Sequence, residues 1–396
     1  MEDVFDQYFS MERMDLHARK VAKKKAAGVD DMRPEEAVKY IQLHYQEIIS
    51  QLRAGTYHPQ RIAIKFIPKK GNGMRKLSIA TVQDRVIMAC LYDYLENLFG
   101  KDISEFAFAY RKGRGPQDEM LLIKEYCRSN QFVVSIDIQN FFDGIGHDRL
   151  LFKLRQKIHD KRIFRLINEC LKTSYEVDGV VERSYSGIQQ GSAMSPILSN
   201  LALSDLDQEM KKRGIPYARY ADDIIAFSRS EQAAKRTYRN IEGYIRKEYQ
   251  LAINQEKSQI ANISEGFNVL GFHVFKSSDG VHIRPKQEKI QSLRDNVKSI
   301  IQTEKADNVN SRLKEVISGW IGYFGIAEIS GTTKNLDSLI VREVRKRERK
   351  DGIRIDKDGL VNSHEFYKEK GSIASTRALG NLKNNLIPVD RSISYT

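Results

Sequence analysis

Two acids stand between two apolar runs in YARYADDIIAFS, residues 217–228, and this arrangement constrains the fold more than any other feature of the chain. Asp is a good turn former and the flanking runs are short and β-rich, so the segment reads as a hairpin with Asp222 and Asp223 at its tip. Upstream, FVVSID (132–137) is a second β-rich run, and it ends on a third acid, Asp137. If the three carboxylates meet, folding has to bring distant parts of the chain together.

The surrounding pattern alternates helices and strands. Residues 1–56 look helical, with a break at Ala27-Gly28, and a helix over about Pro34–Arg53 sets Ala37, Ile41, Tyr45, Ile48 and Leu52 on one face. Ile62–Pro68 alternates as a strand, and the GNG turn at 71–73 returns it through RKLSIA (75–80) as a β-hairpin. An apolar helix is expected over 82–99, another from near His147, and one helix over about Ser195–Lys212 after a polar loop, Gly187–Gly191. A helix over about Glu231–Glu248 and two short strands near 251–275 complete a mixed layer, and beyond Pro285 the pattern is purely helical to about residue 350.

Composition narrows the function class. With 41% apolar and 30% charged residues over 396 positions and no low-complexity tract, the chain can bury a substantial core in two or three units. No run approaches the ~20 apolar residues of a membrane helix, and the acidic start MEDVFDQYFSMERMD is no secretory signal, so no membrane partner and a cytoplasmic location are expected. Cys90, Cys127 and Cys170 are spaced like buried free thiols. The excess of 65 Lys and Arg over 52 Asp and Glu, +13 in all, favours polyanion partners.

Clustered carboxylates are the means by which proteins hold the paired divalent cations, about 4 Å apart, that phosphoryl transfer uses. Asp137, Asp222 and Asp223 are candidates for that work. Taken singly, Asp137 also reads as a cap of the following turn and the Asp pair as a solvated hairpin tip.

The order of the neighbouring segments adds a resemblance. RIAIKFIPKKGNGMRKLSIATVQDRV (61–86), FAYRKGRG (108–115), SIDIQNFFD (135–143), GIQQGSAMSPILSN (187–200), YARYADD (217–223), NQEKSQI (254–260) and VLGFHVF (269–275) resemble, in sequence, the successive motifs of prokaryotic reverse transcriptases of the group II intron type. ARKVAKKKAAGVDDM (18–32) and GWIGYFG (319–325) are similar to that family's N-terminal extension and thumb, so the likeness runs over about residues 18–350.

The resemblance implies an α+β right-hand polymerase. Its parts would be a helical extension over 1–60, fingers and palm over 61–284 with an antiparallel sheet plus helices, an α-helical thumb over 285–350, and a tail over 351–396. It implies an RNA-directed DNA polymerase that adds deoxynucleotides (dNTPs) to a DNA or RNA primer on an RNA template, with two Mg2+ held by Asp137, Asp222 and Asp223. The carbonyl of Ile138 is implied as an extra ligand. Phe142 matches the aromatic gate under the nucleotide sugar, although one of the rings Phe141 and Phe142 belongs to the core. Gln190 and Gly191 match the loop at the incoming nucleotide, and Lys69 and Arg75 match the finger cations that grip the triphosphate. Lys257 matches the lysine that protonates pyrophosphate, or is a surface lysine. Arg111 is either a template contact or a structural ion pair. Arg342, Arg345 and Arg349, with Lys346, Arg347 and Lys350, make a basic stripe for phosphates that Glu343 and Glu348 dilute. Trp320, Tyr323 and Phe324 read as core packing.

The chain departs from the intron enzymes in three places. GIQQGSAMSP lacks the usual Thr-Pro before the Gln, Lys76 follows Arg75 where Pro is usual, and the stretch after Lys350 has no Cys and one His, unlike a metal-dependent nuclease. These departures point to a stand-alone relative, of which antiphage (antiviral) defence enzymes using a dedicated noncoding RNA are the best-known kind. Two other readings stay open: synthesis without a conventional template or primer, started from a protein hydroxyl, and a maturase-like RNA-binding protein with an idle polymerase site. Oligomeric state is not legible.

Overall fold

Alternation, caps and turn residues decide where each element runs. The computed structural model describes residues 3–24, 26–68, 74–177, 179–182, 185–352, 354–356 and 360–369. The chain divides into two compact units that interleave in sequence: 1–107, 138–212 and 241–254 form the first, and 108–137, 213–240 and 255–396 the second.

In the first unit the helix Val82–Phe99 is the spine, burying Val86, Ile87, Cys90, Leu91 and Leu95. Its start is fixed by a buried carboxylate. Asp84 accepts from the Tyr57 hydroxyl at 2.5 Å, the Thr81 hydroxyl at 2.5 Å and the Gln60 amide at 3.1 Å, so its lone pairs are used where water is absent. Helices Met11–Val21 and Ala37–Ala54 pack around this spine, and Gly55, at φ +66°, ends the second of them in the left-handed conformation common at helix C-termini. A β-hairpin pairs Ile62–Pro68 with Met74–Ile79, Ala63 opposite Ile79. Its sheet is larger than the sequence pattern shows, because Tyr175–Val177 joins Ile62–Pro68 in parallel and Val180–Glu182 follows it.

The helix expected over 195–212 is two helices, Ser195–Ala202 and Ser204–Lys212. Lys153 explains the interruption: its ammonium donates to the carbonyls of Leu201 at 2.8 Å and Ala202 at 3.2 Å, and to the Ser204 hydroxyl at 3.0 Å. Side-chain donors thus satisfy carbonyls that a continuous helix would have paired with backbone amides.

The second unit is built on an antiparallel sheet in the order Tyr217–Tyr220, Asp223–Ser228, Phe132–Asp137, Gln259–Asn262. Val133, Val134 and Ile136 are buried, as are Ile224 to Phe227, so the inner strands are apolar on both faces. The helix Pro116–Ser129 covers one side, with Tyr126 against Phe227 at 5.3 Å between ring centres. Three strands, not two, begin between 251 and 275, Gln259–Asn262, Phe267–Val269 and Phe272–Ser277, and the last two form a separate three-stranded sheet with Gly280–Pro285. The turns at Gly266 (φ +88°) and Gly280 (φ +142°) reverse the chain within so few residues that apolar spacing alone merged them.

Three helices follow, Gln287–Thr303, Ala306–Phe324 and Ser330–Asp351. Tyr323 stacks on Phe272 at 5.6 Å and its hydroxyl donates to the Leu270 carbonyl at 2.9 Å, while Trp320 lies 4.8 Å from Phe324, so this aromatic group is packing, as expected. Residues beyond Ser330–Asp351, including a short helix over 363–369, still pack on it. The Asp337 carboxylate accepts from the amides of Ser363 at 2.7 Å and His364 at 3.1 Å, and Ile355 is buried. Among the described residues no helix is long and apolar enough to cross a membrane. Cys90, Cys127 and Cys170 are buried and free, and burial pushes the Cys127 thiol up to about 12.

Candidate active site

The acidic hairpin forms as its sequence indicates. Tyr220 faces Asp223 across the ladder, leaving Ala221 and Asp222 as a two-residue turn. Ala221 takes φ +58°, a left-handed conformation that a Cβ makes costly and that a surrounding structure has to hold. Arg219 supplies part of that hold. It is fully buried, and its Nη1 donates to the Ala221 carbonyl at 2.8 Å.

The sheet register does the rest. Asp137 lies directly opposite Asp223, and directly opposite residues of an antiparallel pair project from the same face within ~5.5 Å. On the other side of Asp137, the pairing of Ser135 with Gln259, continued by two residues, sets Lys257 beside it. The Asp137 amide donates to the Ser258 hydroxyl at 3.1 Å, and the Lys257 ammonium lies 3.1 Å from Asp137 Oδ2. One row across the sheet therefore reads Asp223, Asp137, Lys257, with Asp222 at the adjoining turn.

Electrostatics match that crowding. Desolvation raises the Asp222 carboxyl, and repulsion from Asp137 raises it further; Lys257 and Arg219 oppose the shift. Asp223 is pushed up to about 7, by desolvation first and then by Asp222 and Asp137, against Lys257. Asp223 is nonetheless an exposed residue, so water screens part of this repulsion and the upward direction is the firm result. Behind the hairpin, Glu119 is completely buried with both oxygens unbonded, and burial, then Asp223, raises its carboxyl far above the usual range, while Arg219 opposes the shift.

An all-carboxylate, hard-oxygen donor set whose mutual repulsion Lys257 and Arg219 only partly offset fits a divalent cation such as Mg2+. Among the described residues, however, no three His, Cys, Asp or Glu side chains converge tightly enough to hold an ion, and Asp137 is instead paired with Lys257.

The remaining candidates of this region lie in the first unit, joined to Asp137 by an unbroken stretch of chain. Phe141 is buried and Phe142 half-buried, so the core ring is Phe141. The backbone at Phe142–Gly146 is tied to Ser186–Ile188: the Ile188 amide donates to the Phe142 carbonyl at 2.6 Å and the Gly187 amide to the Ile145 carbonyl at 2.7 Å. Two residues on, the Gln190 carbonyl accepts from the Ser78 amide at 2.7 Å. Gly191 follows at φ +113°, where a Cβ would sit 2.7 Å from the Ser78 carbonyl oxygen. The loop at Gln190 and Gly191 is thus stitched to the strand Met74–Ile79 and to the Phe142 segment. A cleft of about 400 Å³ beside it is lined by Lys76, Ser78, Tyr175, Tyr185, Gln189 and Gln190 among others. Arg75 is exposed on that strand, and Lys69 lies outside the described residues.

Of the nucleic-acid candidates, Arg111 is half-buried in the loop before Pro116–Ser129, within the second unit. On Ser330–Asp351 the charges are sorted by face. Arg342, Arg345, Lys346, Arg349 and Lys350 are exposed and line a shallow depression of about 630 Å³ with Ser338 and Val341. Glu343 is buried and Arg347 points inward, its Nη1 donating to the Ile301 carbonyl at 2.6 Å. Glu343 nonetheless reaches the stripe, its Oε1 3.4 Å from Arg342 Nε, so it offsets one of these charges as its position in the sequence implied.

Sequence reasoning missed Arg219, Glu119 and the Lys76 ammonium 3.7 Å over the Tyr175 ring. Arg219 alternates with Tyr217 in a strand whose inward parity was readable. Glu119 is four residues before buried Ile123, but the helix that makes this spacing meaningful was not assigned. The Lys76 contact needed a strand pairing that no local pattern shows.

Residues 67–274 match the family model described as reverse transcriptase (RNA-dependent DNA polymerase), and residues 290–351 match the group II intron maturase-specific domain. The chain is similar to Protein YkfC of Escherichia coli strain K12, 22% identical over 329 residues that cover 73% of this chain and 84% of that protein. It is 24% identical to the group II intron-encoded protein LtrA of Lactococcus lactis subsp. cremoris over 321 residues, 65% of this chain and 54% of LtrA, so it spans about half of that relative. The retron Ec73 reverse transcriptase of Escherichia coli is 28% identical over 185 residues, 43% of this chain and 54% of the retron protein. A telomerase structure from Candida albicans with a fragment of telomeric RNA aligns over 88% of this chain and 71% of its own at 12% identity and a TM-score of 0.46, too distant to bear on function. With a reverse-transcriptase model covering more than half its length, the chain belongs to the reverse transcriptases, the RNA-directed DNA polymerases.

Proposed function

We propose that the chain extends a primer 3′-hydroxyl with deoxynucleotides by two-metal phosphoryl transfer, and that Asp137, Asp222 and Asp223 hold the two Mg2+. The observation that carries this reading is the pairing of Asp137 with Asp223 in one sheet, with Asp222 in the adjoining turn. Ions bound there would lower the barrier to attack by the 3′-oxygen and neutralise the leaving pyrophosphate. The protein's own groups divide the other tasks. Gln190, Gly191 and the exposed Arg75, with Lys69, bind and orient the nucleotide, and the half-buried Phe142 excludes a 2′-hydroxyl. Lys257 protonates pyrophosphate, and Arg111 contacts the template. In this reading residues 61–284 are fingers and palm and 285–350 the thumb, whose outward Arg342, Arg345 and Arg349 hold duplex phosphates. On the resemblance alone, the template is a dedicated noncoding RNA and the setting antiphage defence; sequencing the nucleic acid that co-purifies with the protein tests both.

A second reading, RNA binding of the maturase kind, is favoured by the match over 290–351 and the exposed basic face within it. Replacing Asp222 and Asp223 together by Ala separates the two. The polymerase reading expects nucleotide incorporation to fall by ~10³-fold or more with RNA affinity retained. Undiminished incorporation ends it, and an unchanged cellular effect of the inactive variant favours the binder.

A further inference from the structure

Lys257 holds the one cationic place in the row that runs Asp223, Asp137, Lys257. Its side chain is 66% exposed whereas that of Asp137 is 18% exposed, so a mobile cation is paired with an anchored carboxylate. The anchor is the Asp137 amide on the Ser258 hydroxyl, and the positive charge of Lys257 is also felt at Asp222 and Asp223, where it opposes the rise in both carboxyls. An ammonium 3.1 Å from Asp137 Oδ2 and a divalent ion on the same oxygen repel strongly at so short a range. They compete for it.

We propose that Lys257 is a built-in competitor for the divalent cation. Its ammonium pairs with Asp137 until an ion enters, must leave for the ion to be held, and is thereby freed beside the carboxylates to meet the polyphosphate. This rests on the metal reading above and adds to it, because the lysine then sets ion affinity as well as delivering a proton. It also accounts for a carboxylate group that is crowded yet not gathered into a cage.

The test is a titration of the full-length protein with Mn2+ alone, at low salt and without nucleotide, free Mn2+ being followed by electron paramagnetic resonance. Lys257→Met is expected to bind Mn2+ about twofold to fivefold more tightly than the unaltered chain, the range set by an ion pair of this exposure. Lys257→Arg keeps the charge and is expected to stay close to the unaltered value. Added KCl should narrow the gap between Met and Lys as the pair is screened. Equal or weaker Mn2+ binding by Lys257→Met overturns the proposal. An Asp137→Asn, Asp222→Asn variant serves as the control: if it binds Mn2+ as the unaltered chain does, the carboxylates are not the metal site, and the metal reading fails together with the inference built on it.

Discussion

The acidic end of the sheet and the loop carrying Gln190 are held by opposite means. Around Asp222 and Asp223 the structure relies on charge and a strained turn: three carboxylates, one exposed lysine, a buried arginine and an Ala at φ +58°. The Gln190 loop carries no such load. Its place is set by main-chain hydrogen bonds at Ser78, Phe142 and Ile145, and by a glycine with no room for a side chain. The contrast teaches that the acidic end is held by charges whose balance shifts with pH and salt, whereas the Gln190 loop is held largely by main-chain hydrogen bonds, which do not titrate.

On stability, breaking the backbone-held side should have the larger effect. Gly191→Ala adds a Cβ 2.7 Å from a carbonyl oxygen at φ +113°, so the loop has to shift. A loss of about 2 kcal/mol in stability and of ~10-fold or more in kcat/KM for dNTP is expected, read by thermal melting and steady-state incorporation. Wild-type kinetics would show that the loop lies away from the nucleotide. Phe142→Ala sharpens the same side, because the carbonyl that orders the segment is untouched and only the ring is lost. Discrimination against ribonucleotides should fall by ~10–100-fold with dNTP use nearly kept; unchanged sugar selectivity removes Phe142 from the gate.

On the charge-held side the expected effect is smaller and depends on pH. A folded-state pKa raised for an acid means that the folded chain binds more protons than the unfolded one, so stability falls as pH rises from the ordinary carboxylate value toward about 7. Asp223→Asn removes that cost. Without divalent ions its melting temperature should exceed the unaltered chain's by a degree or two at pH 8, with the gap closing near pH 4. A variant that melts lower at pH 8 would show that Asp223 is stabilising as a charge.

Much of this was legible in the sequence because it is local. The hairpin at Asp222 and Asp223, the strand ending at Asp137 and the helix Val82–Phe99 each follow from a run of residues and its turn or cap. The Ser195–Lys212 region was misread because its interruption depends on Lys153, which is distant in sequence. Likewise the parallel strand Tyr175–Val177 and the inward turn of Glu343 are decided by what packs against them, which spacing along one segment does not encode. The pairing of Lys257 with Asp137 stands between these cases. Both residues were singled out, but their adjacency comes from the register of two strands.

The clasp formed by Asp337 on Ser363 and His364 bears on how the protein can be cut or joined. The family match stops at residue 351, which makes that position look like a natural place for a truncation or a fused tag. Ending the chain there would strip the cover from the helix Ser330–Asp351 and strand an aspartate whose partners lie beyond the cut. Any engineered junction belongs after residue 369.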